Sequence, residues 1–269
     1  MEERAVKDVR TEAVKDVRTE KDVRTEKSEK PVEYVKVKSI KLEKSIKAVV
    51  FDMDNTLFDF VEAKIKACEA VVERIGKGDG RELLNYFLRW KYGFEDHENI
   101  KDYLVDLGIF SEETYRECCQ IYDEVKFSSI EPYRGIKEVL KRLKDAGLKL
   151  AVVTDALNGN AVRRLKRAGL MDFFDVLVSA EMTGKRKPDP DSILLALDRL
   201  KVKPEEALLV GDSINRDIEA GKRIGMLTIY AAYGDRNFFE EKVGEADFTV
   251  REPSEVIRLV ERLIESSSN

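Results

Sequence analysis

The 269-residue chain carries 48 Lys and Arg against 53 Asp and Glu, a formal net charge of −5, with 43% hydrophobic residues. That length holds one large domain or two small ones at about 100 to 200 residues each, and the acid excess has the wrong sign for a nucleic-acid or membrane-surface binder. Three cysteines, with Cys118 and Cys119 adjacent, exclude a disulfide framework, and no run approaches the roughly 18 apolar residues of a membrane span.

The N-terminus, MEERAVKDVR, has no apolar stretch for secretion, so a cytoplasmic protein with a small-molecule partner is expected, monomeric or homodimeric. The Lys/Glu-rich balance, with one Gln (Gln120) and one His (His97), is of the kind seen in thermophile proteins. Residues 1–44 repeat themselves: AVKDVRTE stands at 5–12 and 13–20, and KDVRTE at 21–26. Of these 44 residues 24 are charged, too few apolar groups to offset the entropy of ordering, so the segment reads as a disordered or frayed arm or an artefact of the gene sequence. A docking or oligomerisation arm is the alternative, and 32–42 holds the alternation of a short edge strand.

From Ile46 the texture changes. IKAVVFDMD is a continuous apolar run ending in acids, the pattern of a parallel strand buried on both faces. From Phe60 to Glu131 follow some seventy residues of helical pattern, without strand-type runs. Then strands and helices alternate: helix 136–147 stopping at Gly147, strand 148–156, helix 160–169 stopping at Gly169, strand 174–181, helix 191–200 after a Pro-rich turn, and strand 206–213. TIYAA (228–232) and ADFTV (246–250) are two further strand candidates. This predicts an α/β fold, a Rossmann-like parallel sheet with helices on both faces and an inserted helical cap. The predicted boundaries are a core of 45–59 and 132–269 and a cap of 60–131, with the charged segment 1–44 outside both.

Ligands of such sheets bind at the carboxyl ends of the strands, where Asp52, Asp54, Thr154, Asp155 and Asp212 fall. Each element alone has a bland reading. Asp52 and Asp54 could solvate a strand-to-helix turn; Thr154 and Asp212 could be helix N-caps; Lys187 could be a surface charge. Taken together, the ordered elements Asp52-Met53-Asp54-Asn55-Thr56, Thr154, Lys187-Pro188-Asp189-Pro190 and Gly211-Asp212-Ser213 with Asp217 resemble the motifs of the haloacid dehalogenase-like (HAD) hydrolase superfamily, over residues 46–250. The sequence departs from the usual pattern at Asn55, where glycine is common, at Asp155, where asparagine is common, and at Arg134, where a proline often precedes Gly135.

The resemblance implies a phosphatase with the small helical cap of phosphoglycolate-phosphatase-like members, acting on a small phosphorylated metabolite such as phosphoglycolate or a triose phosphate. It implies Asp52 as nucleophile, forming an aspartyl-phosphate, and Asp54 as the group that protonates the leaving alcohol and then activates water. Lys187, the Thr154 hydroxyl and backbone N–H groups near Met53 and Asp155 are implied ligands of the phosphoryl oxygens. Crowded carboxylates repel unless a divalent cation neutralises them, and Mg2+ is the hard, oxygen-liganded choice. Its implied ligands are the Asp52 carboxylate, the Asp54 carbonyl and Asp212, with Asp217 behind them. Asp59 and Phe60, just after the first motif, are candidate substrate contacts, as is the cap cluster Arg89, Trp90, Lys91, Tyr92 and His97. A phosphomutase of the beta-phosphoglucomutase kind shares the same core residues, and a non-catalytic binding protein on this fold is the alternative from another class. Asp54 argues against a haloacid dehalogenase, which expels halide and needs no acid, and the DKTGT sequence and membrane helices of P-type ATPases are missing.

Overall fold

Six parallel strands make one sheet in the computed structural model of the chain, which describes residues 45–89, 91–236 and 245–267. The charged segment 1–44, with the strand expected at 32–42, and Trp90 lie outside the described residues. The strands are β1 (Ala48–Phe51), β2 (Lys149–Thr154), β3 (Val176–Ser179), β4 (Ala207–Gly211), β5 (Leu227–Ala231) and β6 (Phe248–Val250), in the order β3-β2-β1-β4-β5-β6. The weaker strand candidates are thus β5 and β6.

The continuous apolar runs have a simple cause: successive side chains point to opposite faces, and both faces are covered. Ala48 and Val50 pack with Ile193, Ala196 and Leu197, whereas Val49 and Phe51 pack with Ile136, Leu140, Leu165 and Val256. The helices that cover them are α5 (Ile136–Asp145), α6 (Asn158–Ala168), α7 (Asp191–Leu200), the short α8 (Glu219–Arg223) and α9 (Ser254–Ser267). As expected, α6 stops at Gly169, at φ 64°.

Between β1 and α5 lie four helices, α1 (Phe60–Ile75), α2 (Gly80–Leu88), α3 (Glu98–Asp106) and α4 (Glu112–Ser128). α1, α2 and α4 start where the sequence offers side-chain caps. Asp59 accepts from the Glu62 N–H at 2.9 Å, and Ser111 from the Thr114 N–H at 3.1 Å. The four helices bury their own core, including Val71, Leu83, Phe87, Ile100, Leu104 and Tyr122, apart from the two cores on the sheet. Lys64 and Lys126 are buried alongside it. No described helix is long and apolar enough to cross a membrane.

Strand order reverses between β1 and β4, which are hydrogen-bonded neighbours with Phe51 opposite Val210. This is the switch point at which open α/β sheets form their crevice. Asp52 leaves β1 there, its N–H donating to the Val210 carbonyl at 2.8 Å, and Asp212 leaves β4 beside it.

Candidate active site

The residues that leave the strand ends converge. Asp52, Asp212 and Asp217 each place a carboxylate oxygen within 4.8 Å of the others, all buried. Asp217 gets there through a single π-helical turn, Ile214–Ile218, in which the Ile218 N–H reaches back to the Ser213 carbonyl at 3.1 Å. The turn needs Gly211: a Cβ on that residue would stand 2.4 Å from the Cβ of Asp217. Asp217 in return accepts the Ser213 N–H at 3.0 Å, and this fixes the loop after β4.

Lys187 brings the positive charge. Its Nζ ion-pairs with Asp217 at 2.6 Å, contacts Asp52, and donates to the Val153 carbonyl near the end of β2 at 3.2 Å. Asp155 holds the lysine's own backbone, accepting the Lys187 N–H at 3.1 Å. The Thr154 hydroxyl accepts from the Ala156 N–H at 3.1 Å, a local turn that pins it at the strand end. Thr56, wholly buried, aims its hydroxyl between Asp52 and Asp212, 3.3 and 3.4 Å away. The Tyr233 hydroxyl secures the Thr56 carbonyl at 2.9 Å. Met53 is fully buried in the sheet core.

Charge and burial oppose each other in this cluster. Burial, partly countered by Lys187 and reinforced by Asp217, pushes the Asp52 carboxyl up to about 7. Burial and repulsion from Asp52 and Asp217 push Asp212 well above the carboxylate range. Burial acts against the charge on Lys187, but Asp217 and Asp52 hold it above an ordinary lysine. Arg216 is likewise held charged against its burial, by Asp217 and Asp212. Three hard oxygen donors with excess negative charge form a donor set that suits Mg2+.

Asp54 stands apart from this cluster. Its Oδ2 accepts from Arg164 of α6 at 2.6 Å, and its Oδ1, also buried, accepts no hydrogen bond among the described residues. Burial, outweighing the attraction of Arg164, raises its carboxyl above the usual value. Asn55 follows Asp54 at φ 62°, a left-handed conformation that asparagine tolerates, which accounts for the departure from glycine there. Its Oδ1 accepts the N–H groups of Phe60 and Val61 at 3.1 and 3.2 Å and so anchors the start of α1.

The other candidate contacts are engaged within the protein. Asp59 caps α1 and ion-pairs with Arg236, and the Phe60 ring lies 3.6 Å beneath the Arg164 guanidinium. Arg89 and Lys91 converge on Asp102 at 3.2 and 2.6 Å, joined by Tyr92 at 3.4 Å, and His97 faces Asp123 at 3.2 Å. From that stretch of chain it is Glu95 that reaches the core, ion-paired with Arg164. Arg164 and Glu95 are site neighbours that sequence reasoning missed. Arg164 had a signal: it lies three residues after Ala161 and four before Ala168, on the apolar stripe of α6, where a charge has to be buried and paired.

Comparison with known proteins agrees with this geometry. The chain is 30% identical over 228 residues to the glyceraldehyde 3-phosphate phosphatase of Methanocaldococcus jannaschii, covering 81% of this chain and 98% of that one. It is 30% identical over 232 residues to the phosphoglycolate phosphatase of Aquifex aeolicus, covering 81% and 99%. Among solved structures, a HAD phosphatase from Thermococcus onnurineus matches with a TM-score of 0.56 at 25% identity, covering 80% of this chain and 98% of that one. The family description Haloacid dehalogenase-like hydrolase matches residues 49–231, which run from β1 through the last residue of β5 and include every carboxylate of the crevice. With sheet order, strand-end acids and sequence in agreement, the chain belongs to the haloacid dehalogenase-like hydrolase family.

Proposed function

We propose that the protein is a Mg2+-dependent phosphatase of small phosphorylated metabolites, working through an aspartyl-phosphate on Asp52. The observation that carries this reading is the division of labour between two aspartates two residues apart. Asp52 lies in the acid cluster against Lys187, whereas Asp54 is held outside that cluster by Arg164.

Asp52 is placed to attack phosphorus, with Thr56 and Lys187 fixing its oxygens. Lys187 and the Thr154 hydroxyl flank the position of the transferring phosphoryl group and supply donors where negative charge spreads. Asp54, its carboxyl raised by burial, retains a proton more readily than an exposed aspartate and gives it to the leaving alcohol; as a carboxylate it then takes a proton from the water that hydrolyses the intermediate. Asp52, Asp212 and Asp217, with the Asp54 carbonyl, would hold the Mg2+. When bound, the cation supplies positive charge that offsets repulsion between Asp52 and the phosphate and keeps Asp52 ionised. The four-helix insertion serves as the cap that selects the substrate. The relatives named for glyceraldehyde 3-phosphate and phosphoglycolate favour a short phosphorylated metabolite.

The test is phosphate release from a panel of small phosphomonoesters and p-nitrophenyl phosphate, in Mg2+ and in EDTA. Mg2+-dependent release that EDTA abolishes is the expected result. Silence on every ester from folded, metal-supplied protein would overturn the phosphatase reading and favour a mutase or a binding protein.

A further inference from the structure

Among the described residues Arg164 is the largest side chain wholly shielded from solvent, and it belongs to no motif of the crevice. It projects from α6, in the sheet-packed part of the chain, and its guanidinium is divided among three partners. One amino group donates to Asp54 Oδ2 at 2.6 Å; the other meets Glu95, in the loop between α2 and α3 of the insertion. The flat face lies on Phe60, the first residue of α1, 3.6 Å from the ring centre. Glu95 is itself set by the Asn160 amide at 3.4 Å, also on α6, and by Lys126 of α4 at 3.9 Å. Burial works against the Glu95 charge, but Arg164, through charge and hydrogen bond, and Lys126 more than reverse it, so this carboxylate is a firm anion.

Two consequences follow from the fork. With Oδ2 occupied by a planar donor, the Asp54 carboxylate cannot rotate freely, and Oδ1 is left as the oxygen without a protein partner among the described residues. The same guanidinium spans the core and the insertion, so its aim at Asp54 depends on Glu95 being seated. A buried arginine that loses one of two carboxylates reorients or is left undercompensated.

We infer that Arg164 is a positioning residue for the proton transfer: it clamps Asp54 through Oδ2 so that Oδ1 faces the leaving group, and it does so only while Glu95 of the insertion is docked on it. This rests on the role given to Asp54 above. In the step concerned, the Asp52 carboxylate oxygen forms a bond to phosphorus as the bond from phosphorus to the ester oxygen breaks. The proton on Asp54 Oδ1 passes to that oxygen, the product leaves as a neutral alcohol, and Asp54 is left as a carboxylate held by Arg164.

A positioning role is separated from a merely structural ion pair by the leaving group. An alkyl phosphate needs the proton, whereas p-nitrophenolate departs without one. The quantity to compare is kcat/KM, which covers events up to the first irreversible step. For Arg164→Gln we expect kcat/KM to fall about a hundredfold or more on alkyl phosphates, the scale of general acid catalysis, against less than about fivefold on p-nitrophenyl phosphate. Glu95→Gln should show the same selectivity at about tenfold, and Arg164→Lys, which keeps the charge but not the fork, should recover part of the loss. Combined with Asp54→Asn, Arg164→Gln should add almost nothing on alkyl esters, because both changes remove one function.

Equal losses on both ester classes, or additive losses with Asp54→Asn, would overturn the positioning role while leaving the phosphatase intact. A wild-type protein that releases phosphate from neither class overturns the functional reading itself, and the inference with it. Should Arg164→Gln fail to fold by circular dichroism, Glu95→Gln and Arg164→Lys carry the same comparison: selective losses on alkyl esters support the role, and unselective ones overturn it.

Discussion

The crevice at the strand ends and the helical insertion both bury charge, but they balance it differently. At the crevice three carboxylates, Asp52, Asp212 and Asp217, face one buried lysine, Lys187, with Arg216 at the margin. The insertion buries cations instead, Lys64 and Lys126, and keeps Asp123 and Glu95 near Lys126. Like charges crowded out of water weaken a fold. Under the proposed function, the arrangement that leaves acids in excess is the one kept for a cation and a substrate. The near-neutral arrangement in the insertion is what packing alone can sustain.

The most severe way to break this comparison is Asp52→Asn. Under the proposed mechanism it removes the nucleophile, and kcat should fall by roughly four orders of magnitude or more, the scale seen when a covalent catalyst loses its attacking group. Because the change also relieves acid repulsion at the crevice, the thermal midpoint should hold or rise. A variant that keeps its turnover would remove Asp52 from the mechanism, and one that unfolds would show the acid cluster to be structural.

The contrast also explains what could be read from sequence. Asp52, Thr154 and Asp212 each close an apolar strand run, so the change in pattern marks both the strand end and the candidate site residue; sheet topology then brings those ends together. Lys187 is legible because a Pro-rich turn precedes a clear helix. Arg164 carries a weaker signal, a single charge on the apolar stripe of an amphipathic helix, which is easily read as a snorkelling surface residue. Glu95 carried no signal at all: its partner Arg164 is 69 positions away, and only tertiary packing brings them together. In the cap cluster, Arg89, Lys91 and Tyr92 gather on Asp102 of α3, a pairing that no local sequence pattern announces.

Lys64 sharpens the comparison from the insertion's side. It is wholly buried on α1, its ammonium against the Phe94 carbonyl and over the rings of Phe87 and Phe94 at 4.1 and 3.4 Å, and burial lowers its pKa to about 7. The sign follows from proton counting. Between about pH 7 and 10.5 the unfolded chain holds the Lys64 proton more tightly than the folded one, so this residue makes stability rise with pH across that window. Lys64→Met should remove that rise and leave stability at pH 7 unchanged or about 1–3 kcal/mol higher, as when a buried charge is replaced by an apolar chain. Denaturant midpoints at pH 7 and 9.5 measure it. A loss of several kcal/mol would mean that the ammonium, not the stem, holds α1 in place.

The smallest effect lies at the insertion's surface, where His97 meets Asp123 at 3.2 Å. Hydrogen bonding to Asp123, then to Cys119, raises the histidine to about 9 against its burial. A group whose pKa is higher in the folded state adds stability in full below its unfolded value of 6.5, and loses it as pH rises through 9. Burial opposes the Asp123 charge, but His97 and Lys126 bring that carboxyl down to about 2, so the partner stays ionised throughout this range. Because both side chains are about one-third exposed, solvent screens the pair. His97→Gln should cost under about 1 kcal/mol at pH 6, with the difference from wild type vanishing above pH 9. The melting temperature followed from pH 6 to 10 decides it, since a gap that persists at pH 10 would trace to the packing of the ring on Tyr122, 6.0 Å between centroids, and not to charge.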